Sequence, residues 1–235
     1  MEPRDRLQSI CKHVTADPAS RFSAHAGTRP APLPPAAQRL LGKVAIVIGA
    51  SSQVRDDISI GKATAIQFAR EGAFVVCVAR GEDGLQSVAE SIRAEGGRCD
   101  TIACDATDSA QVKAMIDTVV ARHGKVDVLH HNLGAGGGGG TVDCTEEAWE
   151  FGMKVNAFSP FICMKHVLPH MIAAGGGSII TTSSVMGSRH LIGRHNAPYR
   201  AWSGLESPRQ ARLPASGSSA CASLHNYPVL TPRAI

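Results

Sequence analysis

Residues 43–70 read KVAIVIGASSQVRDDISIGKATAIQFAR, and this stretch decides the fold. Val44–Ile48 is an unbroken apolar run rich in β-branched residues, the composition of a strand covered on both faces of a parallel sheet. Gly49 ends it. After a Gly/Ser-rich turn, Gly61 opens a helix over Lys62–Arg70 with Ala65, Ile66 and Ala69 as its apolar stripe. Glu71-Gly72 stops that helix ahead of a second apolar run, Phe74–Val78. Strand, turn, helix and strand make a βαβ unit. Backbone N–H groups at such a turn and the positive end of the helix dipole suit a pyrophosphate, and glycines let that backbone approach it closely.

The alternation continues outward. Leu85, Val88, Ala89 and Ile92 lie at helical spacing, and Gly96-Gly97 ends that helix. Cys99–Cys104 reads as a third strand and runs into Asp105-Ala106-Thr107-Asp108. Asp108 is a good N-cap for a helix carrying Val112, Met115, Ile116, Val119 and Val120, closed by His123-Gly124. Val126–His130 is a fourth strand, followed by Asn132-Leu133-Gly134 and five successive glycines at 136–140, which the entropy of glycine predicts to be a mobile loop. Thr145 with Glu146 and Glu147 starts a long helix to about Ala174, with Pro160 and Pro169 predicting kinks or breaks. Ser178–Thr182 is a fifth strand, ending at Ser183-Ser184. Strands alternating with helices over short loops predict an α/β, doubly wound parallel sheet with right-handed crossovers. Ligands of such sheets sit beyond the carboxyl ends of the strands, where Gly49, Asp105, Asn132 and Ser184 should converge.

Composition narrows the class. The 235 residues suffice for one α/β domain, and no run reaches the length of a membrane span. The net charge of +4 sits at the ends: residues 1–42 hold six Lys/Arg against three Asp/Glu and residues 200–235 hold four against one, leaving 14 against 16 between. A mildly acidic middle argues against a nucleic-acid footprint. Seven cysteines without CxxC spacing, several in apolar runs, indicate buried thiols in a reducing, cytoplasmic setting. Residues 1–41, rich in proline and without sustained period, read as a disordered leader, 42–203 as the dinucleotide-binding domain, and 204–235 as an irregular tail.

Over about residues 41–199 the chain resembles the short-chain dehydrogenase/reductase family, in the order of its motifs. These are the Gly-rich turn, Asp105 after the third strand, the Asn132-Leu133-Gly134 turn, Asn156 in KVNAF, Ser184 and Tyr199. The resemblance implies a Rossmann-like fold and an NAD(P)(H)-dependent oxidoreductase acting on a small-molecule carbonyl/alcohol pair. It implies that Gly49, Ser51, Ile60 and Gly61 line the pyrophosphate turn, that Asp105 and Ala106 meet the adenine, and that Asn132 and Gly134 brace the fourth strand. Ser184, Tyr199 and Asn156 become the catalytic residues, and pairing of subunits through the 145–174 helix follows. Arg80, at the end of the second strand where a carboxylate would bind a ribose 2′-OH, favours a 2′-phosphate and hence NADP(H) over NAD(H).

The chain also departs from the family pattern. Gln53–Ser59 stands where one glycine is expected, and His131-Asn132-Leu133 replaces Asn-Asn-Ala. The residue four after Tyr199 is Ser203, where the family carries the lysine that lowers the tyrosine pKa. Beyond it, Arg200–Ile235 loses the family pattern and reads as a truncated or frame-altered end. The alternative that follows is a catalytically inactive dinucleotide-binding or oligomerising module. His166 and His170 have metal-binding spacing but no evident third ligand, which indicates a structural pair, and no metal is expected.

Overall fold

The computed structural model describes residues 37–51, 58–135 and 142–184, and the backbone of 222–230. Its strands and helices alternate as β1 (Val44–Ile48), α1 (Ile60–Arg70), β2 (Phe74–Ala79), α2 (Glu82–Ala94), β3 (Arg98–Ala103), α3 (Ser109–His123) and β4 (Val128–His131). There follow α4 (Glu146–Met153), a π-helical turn (Lys154–Phe158), α5 (Ser159–Ala173), β5 (Gly176–Ser184) and β6 (Ala222–Leu230). The sheet order is β3-β2-β1-β4-β5-β6. The first five strands are mutually parallel. The order turns back at β1 and β4, which places the switch point between the ends of these two strands.

The strand period builds two cores. Ile46, Ile48, Val76, Val78, Leu129 and Ile179 face α3 and α5 through Val112, Ile116, Ile162, Val167 and Met171. Ala45, Val47, Val75, Cys77 and Val128 face α1 and α2 through Ala65, Ala69, Leu85, Val88 and Ile92. Successive side chains of a strand point to opposite faces, so a run apolar at every position has to be covered on both. All five residues of β1 are buried.

Both ends of α3 and the start of α4 are those the sequence predicts, whereas α1 starts at Ile60, capped by Ser59, ahead of the expected Gly61 opening. The Asp108 carboxylate accepts from the Ala110 and Gln111 amides, the Thr145 hydroxyl accepts from the Ala148 amide, and Gly124 ends α3 at φ +76°. Asp127 ties the foot of the sheet together: its carboxylate accepts from the Val44 amide at 2.8 Å and from Lys43 and Lys125 at 3.2 and 2.9 Å. Asp127→Ala strands the Val44 amide, and urea unfolding is expected to show a loss of about 2 kcal/mol.

Three expectations change. The long helix is interrupted by the π turn at 154–158, where the Ser159 amide reaches back five residues to the Lys154 carbonyl. Pro160, which has no N–H to give, stands just after this turn, whereas Pro169 lies inside α5 without ending it. The tail expected to be irregular contains β6, antiparallel to β5 from Gly176↔Leu230 to Ser184↔Ala222. β6 is an edge strand, which accommodates Pro228, and its pairing lengthens β5 beyond the expected 178–182. The glycine run at 136–140, residues 1–36 of the leader, residues 52–57, and residues 185–221, with Tyr199 and Ser203, lie outside the described residues.

Candidate cofactor and active site

The first turn is built by contact between backbones. Gly49 takes φ +77°, and a Cβ there would lie 2.7 Å from the Asn132 carbonyl oxygen. A Cβ on Gly61 would lie 1.9 Å from the Gly49 carbonyl oxygen and 3.1 Å from Asn132 Nδ2. Gly49, Gly61 and Asn132 therefore meet at the switch point, and only glycine fits at the two former positions. The Asn132 amide continues the pairing by donating to the Ile48 carbonyl at 3.0 Å.

Ser59 is the N-cap of α1, and its hydroxyl accepts from the Lys62 amide while donating to the Ser51 carbonyl at 3.2 Å. This bond joins the chain on either side of residues 52–58. The helix still starts beside the turn, with its free N–H groups at the carboxyl end of the sheet, a place suited to a diphosphate. Ser51 is half-buried and Ile60 exposed beside it.

Asp105 follows β3 on the same edge. Its Oδ1 accepts from both the Thr107 amide and hydroxyl at 2.9 Å. The Thr107 amide first, then its hydroxyl and the positive field of Arg80 and Lys154, hold the Asp105 carboxyl below the usual carboxylate range. It is a fixed anion at neutral pH, with Oδ2 turned to neither Thr107 donor. Ala106 is buried behind it, and Arg80, after β2, is exposed. Gly134 is exposed in the segment after β4.

Asn156 lies in the π turn and is 2 % exposed. Its Nδ2 donates to the Gly152 carbonyl at 2.8 Å and to the Ala135 carbonyl at 2.9 Å, and its Oδ1 accepts from the Ala135 amide at 3.0 Å. Both amide hydrogens are used and Oδ1 accepts one bond, so the side chain clamps the segment after β4. Ser184 ends β5 half-buried at the same carboxyl edge.

Two neighbouring histidines carry no role in the sequence analysis, where His130 ends the fourth strand and His131 is a departure from Asn-Asn-Ala. His130 Nε2 lies 3.2 Å from Thr182 Oγ1, and its Nδ1 is buried without a partner among the described residues. His131 Nε2 lies 2.9 Å from Ser159 Oγ. Burial pushes the His130 imidazole down to about 4, and burial together with His130 pushes His131 down to about 3. Both are neutral at pH 7. Their adjacency in an otherwise apolar strand was the available signal.

His166 bonds Ser109 Oγ at 2.9 Å and His170 lies 3.8 Å from Asp117, so both bridge α3 and α5, and no metal-binding cluster occurs among the described residues. Cys77, Cys99, Cys104 and Cys163 are free and buried, and burial raises the thiols of Cys77 and Cys163 to about 12.

A parallel, doubly wound sheet with a tight glycine turn at its switch point defines a Rossmann-like α/β protein. The family model described as short chain dehydrogenase matches residues 43–201, and the chain belongs to the short-chain dehydrogenase/reductase family. It is 36% identical over 149 residues to the 3-oxoacyl-[acyl-carrier-protein] reductase FabG of Thermotoga maritima, covering 63% of this chain and 58% of that protein. It is 38% identical over 156 residues to momilactone A synthase of Oryza sativa, covering 65% and 53%. Among solved structures, it is similar to a 7α-hydroxysteroid dehydrogenase complexed with NADH and 7-oxo glycochenodeoxycholic acid. That match has a TM-score of 0.65 at 32% identity, covering 72% of this chain and 62% of that one. A variant actinorhodin polyketide ketoreductase with NADPH gives 0.63 at 34% identity, covering 69% and 60%. The chain spans less than two thirds of the length of these relatives. Among the described residues no helix is long and apolar enough to cross a membrane.

Proposed function

We propose that the protein is an NADP(H)-favouring oxidoreductase interconverting a small-molecule carbonyl and its alcohol. The observation that carries this reading is the turn at Gly49, Gly61 and Asn132, too tight for a Cβ, with Asp105 fixed as an anion on the same edge. These residues fit a dinucleotide: the turn and the start of α1 would hold its pyrophosphate, and Asp105 and Ala106 its adenine. When bound, the nicotinamide supplies hydride transfer. Tyr199 gives or takes the proton at the substrate oxygen, Ser184 hydrogen-bonds that oxygen, and Asn156 orders the water that relays the proton.

Arg80 is the residue proposed to meet the 2′-phosphate, as a charge-assisted donor. Arg80→Ala is expected to weaken NADPH binding about tenfold while leaving NADH within about twofold, read by titration of nicotinamide fluorescence. Equal losses for both would remove Arg80 from cofactor choice.

Ser203 supports a second reading, a catalytically inactive dinucleotide-binding or oligomerising module. Bringing a tyrosine from its usual pKa near 10 to about 7 takes roughly 4 kcal/mol, which a lysine one helical turn away supplies and a serine does not. Turnover of a panel of ketones and 3-oxoacyl thioesters separates the two. The enzyme reading expects Ser203→Lys to raise turnover about tenfold or more and Tyr199→Phe to abolish it. A protein that binds cofactor but gains nothing from the lysine is the inactive module.

Pairing of subunits through the 145–174 helix belongs to the same proposal. Phe151, Phe158 and Phe161 are 55%, 42% and 53% exposed, and Met153, Lys154 and Ala157 line an open apolar groove with the last two. A cytoplasmic setting fits the free buried thiols.

A further inference from the structure

We propose that His131 is a positioning residue: through Ser159 it holds the π turn that aims Asn156, and with it the segment after β4 that borders the glycine turn. The proposal rests on the reading of Asn156 as a site residue.

The argument is one of anchors. From the end of β4 the chain runs through Asn132, Leu133 and Gly134 to Ala135, whose amide and carbonyl are both taken by the Asn156 side chain at 3.0 and 2.9 Å. From Asn156 it runs through Ala157 and Phe158 to Ser159, whose hydroxyl lies 2.9 Å from His131 Nε2. The two short segments are thus joined at both ends and form a closed ring. With one joint, the π turn can swing about the Asn156–Ala135 clamp. With two, the Asn156 side chain and the Asn132 backbone keep a fixed relation, and Asn132 is the residue packed against Gly49 and Gly61.

The local chemistry makes the second joint specific. Ser159 is fully buried and His131 is 3 % exposed, so neither polar group has water as an alternative partner. The Ser159 amide closes the π turn on the Lys154 carbonyl, so holding the Ser159 hydroxyl holds the turn itself. π-helical turns are rare, occur mostly as single-turn bulges inside α-helices, and are frequent at functional sites.

The test uses the full chain and two independent ways of removing the joint, Ser159→Ala and His131→Leu, with His131→Gln as the conservative replacement that keeps a polar group at the reach of Nε2. Hydrogen exchange is followed by NMR at the Ala135 amide, the group that Asn156 holds, against the core amides of Ile46 and Val119. Ser159→Ala and His131→Leu are each expected to speed exchange at Ala135 about tenfold or more with Ile46 and Val119 within about twofold, and His131→Gln to recover most of the protection. Unchanged exchange at Ala135 would overturn the proposal. So would a rise shared equally by Ile46 and Val119, which is loss of overall stability, or no recovery with glutamine. In the same samples NADPH is titrated by nicotinamide fluorescence: a severalfold weakening in Ser159→Ala supports transmission to the glycine turn. If the unmodified protein binds neither NADPH nor NADH, the proposed function falls, while the exchange data still decide the role of His131.

Discussion

Gly61→Ala is expected to destabilise the protein by about 2 kcal/mol and to weaken dinucleotide binding tenfold or more. Two effects oppose each other at this position. Alanine inside a helix gains roughly 0.5–1 kcal/mol over glycine in chain entropy, which alone predicts a more stable protein. Against it stands the 1.9 Å approach of the new Cβ to the Gly49 carbonyl oxygen, with the Gly49 carbonyl carbon at 2.8 Å. Both are backbone atoms, so no rotamer change relieves the contact. Either α1 or the end of β1 has to move by more than an ångström, and overpacking of this kind costs about 1–3 kcal/mol or more. The displaced helix start then no longer presents its N–H groups to the turn. Gly81→Ala is the control: a Cβ there meets nothing within 4 Å, and its effect on stability is expected to stay within about 1 kcal/mol, the cost of alanine at the N-cap of α2, with dinucleotide binding unchanged. Urea unfolding and an NADPH titration of both variants measure this. A Gly61→Ala protein as stable as the parent would show that the turn is not closed by the Gly49–Gly61 contact.

The second large effect is acid sensitivity well above the carboxylate range. His130 and His131 have folded pKa values of about 4 and about 3, both below the unfolded value near 6.5. Between pH 7 and pH 5 the unfolded chain takes up a proton on each while the folded protein takes up neither. Stability is therefore full above about pH 7 and falls as the pH drops through 6.5 towards 4, at up to about 1.4 kcal/mol per pH unit for each histidine. From pH 7 to pH 5 the two together remove roughly 4 kcal/mol, a large share of the roughly 5–15 kcal/mol that holds a domain folded. Carboxylates held low in the folded state, such as Asp105 and Asp108, act in the same direction but mainly below pH 4. Urea unfolding at pH 7, 6 and 5 is expected to show the steep loss, and the double substitution His130→Val with His131→Gln to flatten it. A parent protein equally stable at pH 7 and 5 would mean that both rings are protonated in the fold.

Much of the fold could be read along the chain because its causes are local. The continuous apolar runs at 44–48 and 74–78 require a sheet covered on both faces, and the two buried clusters supply that cover. Asp108 and Thr145 start their helices, and Gly124 ends one, through bonds to residues two to four positions away. Of the site, Gly49, Gly61, Asp105, Asn132 and Asn156 were visible as residues in a recognisable order. Their contacts were not. Nothing in KVNAF announces that Asn156 spends both ends of its amide on Ala135 and the Gly152 carbonyl, or that its helix widens there to a π turn.

The amino-acid sequence by itself determined the alternation of strands and helices, the parallel doubly wound sheet and the family, since period, caps and motif order are properties of neighbours along the chain. Tertiary structure alone decided the rest. It joined Ser51 to Ser59 across an insertion that interrupts the turn in the sequence, set β6 antiparallel against β5, and placed the His130 and His131 rings on hydroxyls of β5 and α5. The physical reason is the same in each case. These contacts link residues 8 to 54 positions apart, and a hydroxyl, an imidazole or a strand edge carries no local signal of which distant group burial will oblige it to meet.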